Sequence, residues 1–117
     1  MEQLFYKTEN GVLLSVCGGV PGLDKLLPGT SEGAVEKHLP EVKVDGSRVS
    51  IQVGSVPHPM TEEHSIDWVY LQTCCGGYLR YFKAEQEPEA EFTLAPEEKP
   101  KAVYAYCNLH GFWKTEL

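Results

Sequence analysis

From residue 42 onward the sequence repeats one pattern, a short apolar run followed by a cluster of Gly, Pro, Asp or Asn. Val42-Lys43-Val44 precedes a turn at Asp45-Gly46, and Arg48 to Val53 alternates so that Val49, Ile51 and Val53 share a face. Ser65 to Leu71, Tyr78 to Phe82, Glu91 to Leu94 and Ala102 to Tyr106 continue the series. In Ser65 to Leu71 simple alternation sets Ile66, Trp68 and Tyr70 against Asp67, Val69 and Leu71. Period-two runs at this spacing predict an all-β domain, with six or seven short strands packed as a β-sandwich. A chain of 117 residues has room for one principal core. No heptad, internal repeat or long amphipathic helix competes with this reading.

The first 33 residues read differently. Leu4 to Lys7, a turn at Glu9-Asn10-Gly11 and Val12 to Val16 form a short hairpin. The breakers of Gly18 to Gly22 and Pro28 to Gly33 then bracket Leu23 to Leu27 as a linker. The expected division is an appendage over 1–33 and the main domain over 34–117. Two prolines flank His58 and forbid a central strand, which places His58 on a rigid loop edge.

A formal net charge of −7 without a Lys/Arg cluster argues against a nucleic-acid partner. No apolar run approaches the ~18–20 residues of a membrane span, and the start lacks a basic segment leading into an apolar one, so the expectation is a cytoplasmic protein without a membrane partner. Cys17, Cys74, Cys75 and Cys107 include no pair at zinc-knuckle spacing, and all four are read as thiols.

Tyr106-Cys107-Asn108-Leu109-His110-Gly111 offers a thiolate and an imidazole three residues apart, and His38, His58 and His64 complete the histidine inventory. Mixed nitrogen and sulfur donors suit a transition metal rather than calcium or magnesium. Zinc is the alternative, although a structural zinc site takes four ligands and five are on offer here.

Three separated blocks carry a further signal. Glu36-Lys37-His38-Leu39-Pro40, then Val53 to Met60 with His64 beyond, then Tyr106 to Trp113, closely resemble superoxide reductase, the desulfoferrodoxin and neelaredoxin family. The resemblance runs from about Glu36 to Lys114. It implies an immunoglobulin-like β-sandwich of about seven antiparallel strands holding one mononuclear non-haem iron, cycling between Fe2+ and Fe3+. It implies equatorial ligation by His38, His58, His64 and His110, with Cys107 axial and the sixth position open in the ferrous state. Superoxide would be reduced there by one electron to hydrogen peroxide, with a rubredoxin-like external electron donor. The alternative is a non-catalytic iron-binding or electron-transfer module on the same fold.

By the same carry-over, Lys37 draws in superoxide and orients a proton-donating water, and Glu36 swings in to the ferric iron after turnover. The amides of Leu109 and His110 tune the sulfur, Asn108 and Gly111 shape the turn, and Trp68 and Trp113 are packing residues. The expected assembly is a homo-oligomer, dimer or tetramer. The chain departs from the two-iron branch of the family. Only Cys17 precedes residue 74, so the four-thiolate desulforedoxin site cannot form, and residues 1–33 read as a degenerate unit without metal. Cys74 and Cys75 fall off the family's iron positions and read as bystanders at a strand end, with redox sensitivity as the alternative.

Overall fold

The computed structural model describes residues 3–16, 18–29 and 33–117. Cys17 and the Thr30-Ser31-Glu32 portion of the linker lie outside the described residues. Strands β3 (Pro40–Asp45), β4 (Arg48–Val53) and β7 (Glu89–Thr93) form one sheet in the order β3-β4-β7. Strands β5 (Ile66–Thr73), β6 (Gly77–Tyr81), β8 (Pro100–Cys107) and β9 (Gly111–Glu116) form the other, in the order β6-β5-β8-β9. All pairings are antiparallel. This is the expected seven-stranded sandwich of immunoglobulin-like connectivity, with the fourth strand, β6, on the β5 side.

Alternation on β4 works as the sequence suggests, and Val49, Ile51 and Val53 are all buried between the sheets. They meet Val69, Leu71, Val103 and Ala105, with Cys107 at the end of the same inward row on β8. β9, absent from the sequence reading as a strand, closes the second sheet against β8.

Simple alternation fails on β5. Ile66 pairs with Cys107 and Trp68 with Tyr106, so two steps on β5 match one on β8 and a bulge sits at Asp67. Ile66 therefore joins Val69 and Leu71 in the inter-sheet core, whereas Trp68 and Tyr70 face the opposite side. The Ile66 amide, displaced by the bulge, donates to the Met60 thioether at 3.3 Å.

On the outer face of the second sheet, Trp68, Tyr70, Tyr104, Tyr106 and Phe112 form an aromatic layer. The N-terminal hairpin of β1 (Leu4–Thr8) and β2 (Gly11–Ser15) covers it. Phe5 inserts among these rings, 4.8 Å from Tyr104 and 4.9 Å from Phe112 between centroids. The segment read as a linker also docks: Leu26 donates its amide to the Phe5 carbonyl and Gly29 to that of Phe112, both at 2.8 Å. Buried aromatic contacts of this kind contribute beyond their area alone. A single helical turn, α1 (Val35–His38), leads into β3.

Candidate metal centre

His38, His58, His64, Cys107 and His110 converge, their candidate ligand atoms all lying within 4.8 Å of one another. Each arrives on a different device. His38 ends α1 and is buried, with its Nδ1 2.7 Å from the Ala34 carbonyl. His58, on the Pro57 to Pro59 loop, is also buried, with Nδ1 2.6 Å from the Pro59 carbonyl. A carbonyl only accepts, so both rings carry their proton on Nδ1 and turn a bare Nε2 lone pair inward. These inward nitrogens stand 3.0 Å apart. Two lone pairs do not bond each other, and a cation between them resolves the conflict.

His64 is held by the tight turn that starts at Thr61, whose hydroxyl accepts the His64 amide at 3.1 Å. Its Nε2 is a buried side-chain atom without a hydrogen-bond partner, which is costly unless a ligand satisfies it. His110 differs in presenting Nδ1, 3.1 Å from His38 Nε2.

The four imidazoles form a closed ring in the order His38, His58, His64, His110. Neighbouring centroids are 4.6 to 4.9 Å apart and neighbouring planes nearly perpendicular, at 74° to 82°. Two adjoining edges between nitrogens measure 3.0 and 3.1 Å. The centre of a square with that edge lies about 2.1 Å from each corner, the length of a metal–imidazole bond. Cys107 Sγ touches two members of the ring, at 3.5 Å from His58 Nε2 and 3.9 Å from His110 Nδ1. Four nitrogens in a ring plus one cysteine sulfur are five donors, one more than the tetrahedral set of structural zinc.

Electrostatics prepare the donors for a cation. Burial pushes His58 down to about 4 and lowers His38 and His64 as well, which favours the neutral, ligating form of these three rings. Burial raises the Cys107 thiol, against the amides of His110 and Leu109, which favour the thiolate. The His110 amide donates to the sulfur at 3.4 Å, as the sequence reading expected.

Surrounding residues fix the loops. Asn108 clasps two of them: its Oδ1 accepts the Ser65 amide and its Nδ2 donates to the Glu63 carbonyl, both at 3.0 Å. Trp113 stacks on His38 at 5.0 Å between centroids and donates its indole N–H to the His110 carbonyl. Trp113 is thus a packing residue of the site, as expected. Lys37 and Glu36 flank His38 on α1. The Lys37 charge acts on both His38 and His64, opposite corners of the square. Glu36 is exposed, and its carboxylate is outside the cluster of five.

Two glycines escaped the sequence reading. Gly54 has φ +83°, and a Cβ there would lie 2.6 Å from the Lys37 carbonyl oxygen and 2.7 Å from that of Val56. Gly33, with φ +153°, lies where a Cβ would come within 3.1 Å of His38 Cε1 and His110 Cγ. The positive-φ position of Gly54 was hidden by its place at a strand end, and Gly33 by its place among breakers. Gly54→Ala is expected to destabilise the fold by roughly 2–3 kcal/mol and to lower metal affinity, because relief of the clash shifts α1 with His38 and Lys37. Thermal unfolding and metal content of the purified variant check this, and wild-type values for both would refute it.

The family model described as desulfoferrodoxin matches residues 30–116. The chain belongs to the desulfoferrodoxin family. A desulfoferrodoxin from Nitratidesulfovibrio vulgaris is 41% identical over 101 residues, spanning 86% of this chain and 78% of the relative. A superoxide reductase from Pyrococcus horikoshii is 33% identical over 100 residues, covering 70% of this chain and 86% of its own. The crystal structure of the superoxide reductase from Treponema pallidum superposes with a TM-score of 0.87 at 35% identity, covering 99% of this chain and 100% of that one. That similarity includes the N-terminal hairpin as well as the sandwich. No helix among the described residues is long and apolar enough to cross a membrane.

Proposed function

We propose that this desulfoferrodoxin-family chain is a superoxide reductase, holding one iron through His38, His58, His64, His110 and Cys107. The observation that carries the reading is the closed ring of four imidazoles with a thiol sulfur against it. It rests equally on relatives and a structural neighbour named superoxide reductase. Iron bound there supplies the single electron that, with two protons, converts superoxide to hydrogen peroxide.

The protein's own residues do the rest. Four uncharged imidazoles and one thiolate would leave a ferrous site with a net charge near +1, able to attract a small anion. Cys107, braced by the His110 amide, would hold the metal as a thiolate and supply a full negative charge there. Lys37 adds local positive charge in a chain of net −7 and steers superoxide inward. Its ammonium also orients the water from which a proton is taken. Glu36, exposed on the same turn, would swing toward the oxidised metal after turnover.

The reading further assigns residues 1–33 as a metal-free desulforedoxin-like unit and 34–117 as the iron-binding domain. It includes a cytoplasmic location, a rubredoxin-like electron carrier and a homo-oligomeric assembly. Val35, Val56 and Leu109 are exposed apolar residues on the three segments that bear His38, His58 and His110, and they suit a transient carrier contact.

Pulsing superoxide onto anaerobically reduced, iron-loaded protein tests the function. Rapid oxidation of the iron with one peroxide formed per iron is expected. Stoichiometric zinc in the native protein, or iron inert to superoxide, would overturn the reading. In Lys37→Gln the second-order rate is expected to fall about 10-fold or more and to lose most of its dependence on ionic strength, with iron content unchanged. A variant as salt-sensitive as the parent would remove Lys37 from the steering role.

A further inference from the structure

At the end of β5 remote from the metal centre, the chain places two thiols side by side in the turn to β6. Cys74 and Cys75 are both exposed, and their sulfurs stand 3.1 Å apart, within hydrogen-bonding distance. β5 is eight residues long, which puts this turn roughly 25 Å from Ile66 and the iron ligands beside it.

The turn is built rather than loose. Cys74 and Lys99 exchange contacts both ways: the Cys74 amide donates to the Lys99 carbonyl at 2.9 Å, and the Lys99 amide donates to Cys74 Sγ at 3.3 Å. The Cys75 amide donates to the Thr73 hydroxyl, and that hydroxyl donates in turn to the Glu98 carboxylate. Tyr78 and the Ala95 amide bind the same carboxylate. The two sulfurs are therefore inequivalent. Cys74 Sγ accepts the Lys99 amide in addition to facing the Cys75 thiol, and either sulfur can donate to the other.

We propose that Cys74 and Cys75 form a dithiol site that hydrogen peroxide oxidises, with Cys74 as the attacking sulfur and Cys75 as the resolving one. Cys74 thiolate attacks one peroxide oxygen, the O–O bond breaks, and Cys74 sulfenic acid forms while hydroxide leaves and takes a proton to become water. The Cys75 sulfur then attacks the sulfenic sulfur, the S–O bond breaks, and a second water departs as the Cys74–Cys75 disulfide forms. The sum is two thiols and one peroxide giving one disulfide and two waters. The two sulfurs are oxidised and the peroxide is reduced.

Hydrogen bonding agrees with this division of labour. The Lys99 amide and the Cys75 thiol hold Cys74 below the ordinary thiol value, while donation to Cys74 pushes Cys75 above it, with the Glu98 charge opposing ionisation of both. A disulfide between adjacent residues closes a strained ring, so a dithiol reductant of ordinary strength returns the pair to thiols. Peroxide is the product of the proposed reaction at the iron, and the pair lies on the same molecule, roughly 25 Å along β5 from that source.

The test adds hydrogen peroxide directly, so it succeeds or fails whether or not the iron reacts with superoxide. Iron-loaded ferric protein is treated with stoichiometric peroxide, labelled with iodoacetamide and mapped by peptide mass. Labelling of both cysteines in the 73–76 turn should be lost, the intact chain should lose two hydrogens, and dithiothreitol should restore both thiols. In Cys75→Ser, dimedone should capture Cys74; in Cys74→Ser, Cys75 should stay labelled after the same exposure. Persistent labelling of both thiols in the wild type would overturn the proposal, as would a disulfide formed only between chains. Equal dimedone capture in the two single variants would overturn the assigned roles.

Discussion

A Cys107→Ser variant is expected to lose the sulfur-to-iron charge-transfer band of the ferric protein and at least about 100-fold of its reactivity toward superoxide. Residues that merely orient a ligand cost 10–100-fold when removed, and Cys107 is itself in the donor set. Serine is close to isosteric, and position 107 is fully buried at the end of the inward row on β8. The substitution therefore spares the packing while removing the anionic charge, since a serine hydroxyl does not ionise there as a thiol does. Iron content separates the causes. Iron retained with the band lost isolates the role of the sulfur, iron lost altogether shows the sulfur to be needed for binding, and a retained band would refute the assignment of Cys107 as ligand.

Loading with iron should raise the melting temperature of chelator-treated protein by roughly 10–20 °C. An ion held 1,000-fold above its dissociation constant stabilises the native state by about 4 kcal/mol, and a chain of this size shifts several degrees per kcal/mol. The effect should depend on pH in a defined direction. Metal-free Cys107 is a protonated thiol because burial raises it, whereas the bound form is the thiolate, so binding releases a proton. The stabilisation should therefore grow by about 1.4 kcal/mol per pH unit through neutrality. His58 does not reverse the trend in that range, since its folded-state value is about 4. Calorimetry of metal-free and loaded protein between pH 6 and 8 checks both statements, and a loading effect independent of pH would show that Cys107 is not the group giving up the proton.

What could be read from the sequence depended on whether the signal was local. Val49, Ile51 and Val53 were legible because β4 is a regular strand with one covered face, and the two hairpin turns, at Glu9-Asn10 and Gly46-Ser47, to within one residue because turn-forming residues set their own backbone. Ile66 was assigned to the wrong side, because the bulge at Asp67 is imposed by pairing with β8 and leaves no trace in the β5 sequence. β9 was invisible for a related reason. Its buried residues Phe112 and Trp113 are adjacent, one packing with the outer aromatic layer and the other against His38, so no alternation marks the strand. The four-residue α1 is too short for any periodicity to reveal.

The five donors were legible by residue type and by the three motif blocks. Their geometry was not: neither the use of Nδ1 by His110 nor the Asn108 clasp follows from spacing, since both depend on loops meeting in space.

The clasp and the two histidine-to-carbonyl bonds have a bearing on how the protein acquires its metal. His38 and His110 are 72 positions apart in the chain, so an unfolded polypeptide offers an ion at most a few scattered donors. None of the bonds that aim the rings involves the ion. The polypeptide's own bonds thus aim the rings, while the inward nitrogens that those bonds leave bare are satisfied by the ion alone.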